Sequence, residues 1–223
     1  MKGLQTVSVV DALTGSLRAK VLDGRIDPGV GLGETDVAAE YEVSRPTAKA
    51  AIAALVSEGL LRREAHRSAQ VPALSRADVE DLFLVRMPLE LEVVRLLAGH
   101  STVPEGAATA VHDLAQVPPD ARHSTFVEAD LRFHRMLFDA VDSPRLTRLY
   151  HALSGEIHLS MVQSRYALGR DRIVAEHDAV LAALRAGDVD RATSLMRVHL
   201  EGARDALAAQ LDRQTGYSKT PVS

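Results

Sequence analysis

Cysteine and tryptophan are both absent from the 223 residues, and aromatic side chains make up only 4% of them. Without cysteine there are no disulfides, no thiolate nucleophile and no Cys-based zinc site, and a reducing compartment is the natural setting. Strands favour aromatic and β-branched residues, so so few aromatics point toward helix. No apolar run approaches the roughly 18 residues of a membrane span, and the N-terminus lacks the apolar core of a signal peptide. We therefore expect a cytoplasmic protein with no membrane partner. A large charge excess is missing too: 26 Lys+Arg stand against 30 Asp+Glu, a formal charge of −4. That argues against wholesale coating of nucleic acid and leaves room for a local basic patch. What is present is ordinary globular stock, 46% hydrophobic and 25% charged, long enough for one large or two small domains with a real core.

The pattern changes near residue 75. Before it, helical spacing predicts helices over 9–24, 34–41 and 45–58, stopped by Gly24 with Asp27-Pro28-Gly29 and by Gly59. Leu60–Arg63 and Ala69–Pro72 read as two short strands around a polar tip. After it, six long amphipathic helices are expected over 76–99, 104–116, 121–141, 144–166, 171–186 and 188–211. Gly99, Pro104, Pro118-Pro119, Ser143-Pro144, Gly169 and Gly187-Asp188 separate them. There is no internal repeat. The predicted domains are 1–74 and 75–212, with 213–223 a polar, disordered tail.

A helix over 34–41, the turn Glu42-Val43-Ser44 and a helix over 45–58 have helix-turn-helix spacing. Ser44 is a good N-cap, and Pro46 falls in the first turn, where a missing N–H costs little. Recognition helices meet base edges with their N-terminal residues, here Arg45, Thr47 and Lys49. Arg45 can read guanine bidentately, and Ser44 or Thr47 can bond a phosphate or a base edge. Between residues 45 and 67 five basic residues (Arg45, Lys49, Arg62, Arg63, Arg67) face two acidic ones (Glu58, Glu64), a local +3 suited to a phosphate-facing patch. On spacing alone, a plain three-helix bundle with a solvated basic edge stands as the alternative.

The run Leu22-x-Gly24-x-Ile26-x-Pro28-Gly29, Leu32-x-Glu34-x-x-Val37-Ala38, Val43-Ser44-Arg45 and Leu55-x-x-Glu58-Gly59-Leu60 resembles the winged helix-turn-helix of GntR-type bacterial regulators. The resemblance covers the first ~72 residues. It implies a small β-hairpin wing and a double-stranded DNA partner contacted by Ser44, Arg45, Thr47, Lys49 and, at the wing, Arg67. Lys49 stands where such regulators usually carry an arginine, and Ser68 where the wing tip usually carries glycine.

In the second part, polar residues fall on apolar faces. On a helical wheel Asp130 and His134 share a face with Phe126, Val127, Phe133, Leu137 and Val141. His177 sits with Ile173, Val174, Val180, Leu181 and Leu184; His199 with Ala192, Leu195, Met196, Ala203 and Ala206. His177 and His199 lie at nearly equal distances either side of the Gly187-Asp188 turn, hence at one level of a helical hairpin. A lone core histidine is more often structural than a ligand. Three histidines and an aspartate buried without a common partner, however, cost several kcal/mol, and a divalent ion would satisfy all four. Imidazole and carboxylate without thiolate suit Zn²⁺, Ni²⁺, Mn²⁺ or Fe²⁺, and the donor set does not choose among them. The other histidines (66, 100, 112, 123, 151 and 158) lack this setting. Arg86 and Glu90 lie at the centre of the apolar face of 76–99, either as a buried ion pair or as a pocket wall offering Arg86 to an anion.

Val85-Arg86-x-x-Leu89-Glu90, Asp130-x-x-x-His134, Glu176-His177 followed by Leu181-x-x-Leu184, Gly187-Asp188 and Met196-x-x-His199 resemble the all-helical FCD domain of the FadR subfamily. The resemblance implies a mostly α protein, an N-terminal winged helix-turn-helix followed by a C-terminal all-α antiparallel bundle. It further implies a divalent ion on Asp130, His134, His177 and His199, a small organic acid beside it near Arg86 and Glu90, and a homodimer on a near-palindromic operator. The expected function is a ligand-responsive transcriptional regulator, not an enzyme. A metal-dependent hydrolase and a direct metal sensor with a structural ion are the alternatives.

Overall fold

The structure is a computed structural model and describes residues 8–64, 67–164 and 168–217. The chain divides into two compact units, Met1–Ala73 and Leu74–Ser223, one residue from the expected boundary.

In the first unit the described residues form α1 (Val9–Leu22), β1 (Gly31–Leu32), α2 (Glu34–Glu40), α3 (Arg45–Ser57) and β2 (Ala69–Gln70). Leu13, Leu17 and Val21 of α1 bury on the α3 side that carries Ala48, Ala51, Ile52 and Leu55, and α2, with Val37 and Ala38 buried, packs on α3 as well. A bidentate bond from Arg18 to Glu58, at 2.8 and 2.7 Å, ties α1 to the end of α3. The wing is present as a small antiparallel sheet, with its pairing shifted from the expected one. β2 pairs antiparallel with β1, and only Arg62 bridges to Gln70 from the 60–63 segment. The reason lies at the end of α3. Gly59 takes a left-handed φ of +73°, and the N–H groups of Leu60 and Leu61 both bond the Leu55 carbonyl. This closes the helix and turns both leucines into the core. Of the two residues left before the tip, Arg62 pairs with Gln70; residues 65 and 66 of the tip lie outside the described ones.

The second unit holds α4 (Arg76–Gly99), α5 (Glu105–Gln116), α6 (His123–Asp139), α7 (Pro144–Gln163), α8 (Arg170–Ala186) and α9 (Val189–Tyr217). A Ser75–Asp78 capping box opens α4, and Gly187, at φ +68°, closes α8 and turns the chain into α9. α4 lies along α9, α5 along α6, and α8 along α9, around one core that includes Phe83, Phe133, Phe138, Tyr150 and Ile157. The expected helices are all found. The last is longer than expected: residues 213–217 continue α9, while 218–223 lie outside the described residues. Leu211 is buried, Asp212 pairs with Arg76 at 2.7 Å, and the Gln214 amide donates to the Gln163 carbonyl at 3.1 Å. These contacts carry the helix past the point where its apolar spacing ends.

Candidate metal centre and DNA-contacting helix

α3 begins as its sequence dictates. The Ser44 hydroxyl accepts from the Thr47 N–H at 3.2 Å and shares a 2.8 Å bond with the Thr47 hydroxyl. Pro46 occupies the first turn. With Ala48, Ala51, Ile52 and Leu55 turned inward, Arg45 and Lys49 stand exposed on the opposite side, and Thr47 is half-buried. At the wing, Arg67 is exposed and pairs with Glu64 at 2.9 Å, and Arg63 pairs with Glu34 at 3.3 Å. Part of the local +3 is thus neutralised within the unit.

In the second unit three helices bring the three expected histidines together, with Asp130 beside His177. Asp130 and His134 come from α6, His177 from α8 and His199 from α9, and all are buried. The Nε2 atom of His199 lies 3.3 Å from Nε2 of His177 and 3.3 Å from Nε2 of His134. Asp130 Oδ1 lies 3.6 Å from His177 Nε2 and has no hydrogen-bond partner. His123 is apart from this group; its Nε2 faces the Met161 carbonyl at 3.2 Å.

The outer ring nitrogens explain the orientation. His134 Nδ1 lies 2.5 Å from Glu90 Oε2, and His199 Nδ1 lies 2.8 Å from Glu176 Oε2. A carboxylate only accepts, so both Nδ1 atoms donate. In the neutral rings, the Nε2 atoms of His134 and His199 then present lone pairs to each other at 3.3 Å. Two lone pairs at that range call for an electrophile between them. A tetrahedral ion with Zn–N bonds of about 2.0–2.1 Å separates its nitrogens by about 3.3–3.4 Å, so the residues fit such an ion.

Burial pushes the His134 and His177 imidazoles below their ordinary value; Glu90 opposes this at His134, and the neighbouring histidines add to it at His177. Burial alone would raise Glu90, but the Arg86 guanidinium and His134 outweigh it and hold the carboxyl at about 2. Arg86 Nε donates to Glu90 Oε1 at 2.5 Å with both side chains buried. Of the two readings of this pair, the ion pair is therefore present. A cavity of about 470 Å³, lined by Pro118, His123, Phe126, Leu168 and Arg170 among others, has neither Arg86 nor Glu90 in its wall.

Two buried or half-buried groups were given no role from sequence, Glu176 at the site and His158 away from it. Glu176 reaches His199 from the neighbouring helix, and its only signal was adjacency to His177. His158 is 9% exposed with Nε2 unpartnered. Burial, then His123, lowers it to about 4.

Residues 10–71 match the bacterial regulatory proteins of the gntR family, and residues 81–202 match the FCD domain. The HTH-type transcriptional regulator BphR of Paraburkholderia xenovorans is 28% identical over 208 residues, spanning 88% of this chain and 84% of its own. The D-xylose utilization operon transcriptional repressor of Paenarthrobacter nicotinovorans is 24% identical over 211 residues, spanning 93% and 92%. A GntR transcriptional regulator from Rhodococcus sp. RHA1 superposes with a TM-score of 0.75 at 25% identity, covering 90% of this chain and 97% of its own.

Proposed function

The chain belongs to the gntR family of bacterial regulatory proteins, with an FCD domain as its second unit, and from that premise we propose how this DNA-binding transcriptional regulator senses its signal. The FCD unit holds a divalent ion on Asp130, His134, His177 and His199 and takes a small carboxylate as effector. The single observation that carries the metal reading is the convergence of three buried imidazoles, His199 Nε2 lying 3.3 Å from Nε2 of each of the other two, beside an unpartnered carboxylate oxygen. An ion held there would supply a Lewis acid, and an anionic oxygen would join it by expanding the four-residue set to five-coordination. Zn²⁺ suits the nitrogen spacing.

Arg86 and Glu90, expected near the effector, are buried on each other; Arg86 reaches an anion beside the ion only if the pair opens on binding. Operator DNA is met by Ser44, Arg45, Thr47 and Lys49 of α3 and by Arg67 of the wing. In a homodimer, two such helices read the halves of a near-palindrome. The effector acts through differential affinity for two arrangements of the protein, the only way a ligand shifts an equilibrium.

The test uses an operator selected from a random duplex library. Lactate, succinate and citrate are titrated by calorimetry into zinc-loaded and chelator-stripped protein, and operator affinity is followed by fluorescence anisotropy. Carboxylate binding and operator response only in the loaded protein support the coupled reading. Equal binding in both forms sinks it and leaves the metal a structural role.

A further inference from the structure

Two of the three histidines are steered by the same device, built twice. On α4, Arg86 Nε donates to Glu90 Oε1, and Glu90 Oε2 takes the Nδ1 proton of His134 on α6. On α8, Arg172 Nε donates to Glu176 Oε1 at 2.7 Å, and Glu176 Oε2 takes the Nδ1 proton of His199 on α9 at 2.8 Å. In each copy the arginine stands four residues before the glutamate. In each, one carboxylate oxygen serves the arginine and the other a histidine on the next helix. The third histidine has no such support. His177 Nδ1 is without a hydrogen-bond partner, and its ring lies flat on Phe133, centroids 3.9 Å apart at 18°.

We propose that Glu90 and Glu176 are positioning residues for the metal centre: each holds one histidine in the Nδ1–H tautomer and aims its Nε2 lone pair at the ion, while His177 is aimed by stacking on Phe133. This rests on the metal reading above. The chemistry is general. A ligating imidazole must present an unprotonated nitrogen, and a carboxylate on the opposite nitrogen fixes which one that is and keeps the ring from turning. Each arginine shares the carboxylate, so the glutamate remains an acceptor without taking the proton outright. The two bonds also join α4 to α6 and α8 to α9 at the level of the ion.

Glu176 gives the cleaner test, because its side chain is 21% exposed whereas Glu90 is buried against Arg86. The full-length chain is used. In the metal-free protein, ¹⁵N imidazole shifts should show His134 and His199 as Nδ1–H tautomers. Glu176→Ala should turn His199 into a tautomer mixture and leave His134 unchanged. Zn²⁺ affinity, read by competition with a chromophoric chelator, should fall about 10- to 100-fold in Glu176→Ala. It should fall less in Glu176→Gln, whose amide oxygen still accepts the Nδ1 proton. An Nε2–H tautomer at His199 in the parent protein overturns the proposal, as does unchanged Zn²⁺ affinity in Glu176→Ala. If the parent protein binds no Zn²⁺ at all, the metal reading falls and this proposal with it. If the parent binds and the variant binds equally well, only the proposal falls.

Discussion

Arg86→Met should be among the most damaging single substitutions in the helical unit. Its guanidinium and the Glu90 carboxylate are 2% and 1% exposed and 2.5 Å apart. Breaking a buried pair by removing one partner costs about 3–5 kcal/mol, because the surviving charge is left in a low dielectric. Glu90 would keep its bond to His134 Nδ1, which places the loss near the lower end, about 3 kcal/mol. The Arg86 guanidinium also stands 5.1 Å over the Phe83 ring, a contact a methionine thioether replaces in part. In a unit of this size each kcal/mol moves Tm by about 2–4 °C, so a fall of roughly 6–12 °C is expected. Arg86→Met combined with Glu90→Gln removes both charges and keeps an acceptor for His134. That double variant should lie within about 1 kcal/mol of the parent, about 2 kcal/mol more stable than Arg86→Met, and Glu90→Gln alone completes the cycle. Urea titrations followed by circular dichroism, all on chelator-stripped protein so that bound ion does not contribute, measure the cycle. A single variant that loses less than about 1 kcal/mol, or a double variant that loses as much as the single, would refute the reasoning.

His158 is held near 4 by burial and by His123, with Glu128 Oε2 3.8 Å away. Its folded value lies below the unfolded one of about 6.5, so the stability linked to it is complete above pH 6.5 and is lost as pH falls toward 4, by up to about 3 kcal/mol. His158→Gln should flatten urea midpoints between pH 7 and 4.5, and an unchanged slope would contradict the assignment. Gly187 has φ +68°, and a Cβ there would meet Ser101 Oγ at 2.6 Å. Gly187→Ala should therefore cost about 1–2 kcal/mol in thermal unfolding, and no loss would mean the turn relaxes freely. Arg45→Ala should weaken specific operator binding by about 1–3 kcal/mol, while the effect of Lys49→Ala should shrink with added salt. Gel shifts at two salt concentrations separate these, and an unaffected Arg45 variant removes that residue from base readout.

Most of the architecture could be read from periodicity, because each helix has a breaker at its end and an apolar stripe of helical spacing. The wing was misjudged locally: Leu60 and Leu61 look like strand residues, but Gly59 at positive φ commits them to closing α3 and burying. The end of α9 was set too early, because Asp212 and Gln214 hold the helix through polar contacts that hydropathy does not register. At the site, the wheel positions of His134, His177 and His199 pointed to one core region, since a core-facing polar residue needs a partner, and the three rings do meet there, with Asp130 beside His177. Their steering was not foreseeable. That Glu90 serves His134 and Glu176 serves His199 depends on the rotation of neighbouring helices about their axes, which side-chain spacing within one helix does not specify. His158 was set aside with the other histidines for a similar reason, its burial being supplied by other helices.

The central measurement is the zinc stoichiometry of the full chain, compared with a variant carrying His134→Ala, His177→Ala and His199→Ala together. Chelator-stripped protein is titrated with Zn²⁺ against a chromophoric chelator, and circular dichroism confirms that both chains are folded. One ion per chain in the parent and none at that affinity in the triple variant is the expected result. Equal binding by the two, or no competition from the parent, would contradict a metal centre at this convergence of imidazoles.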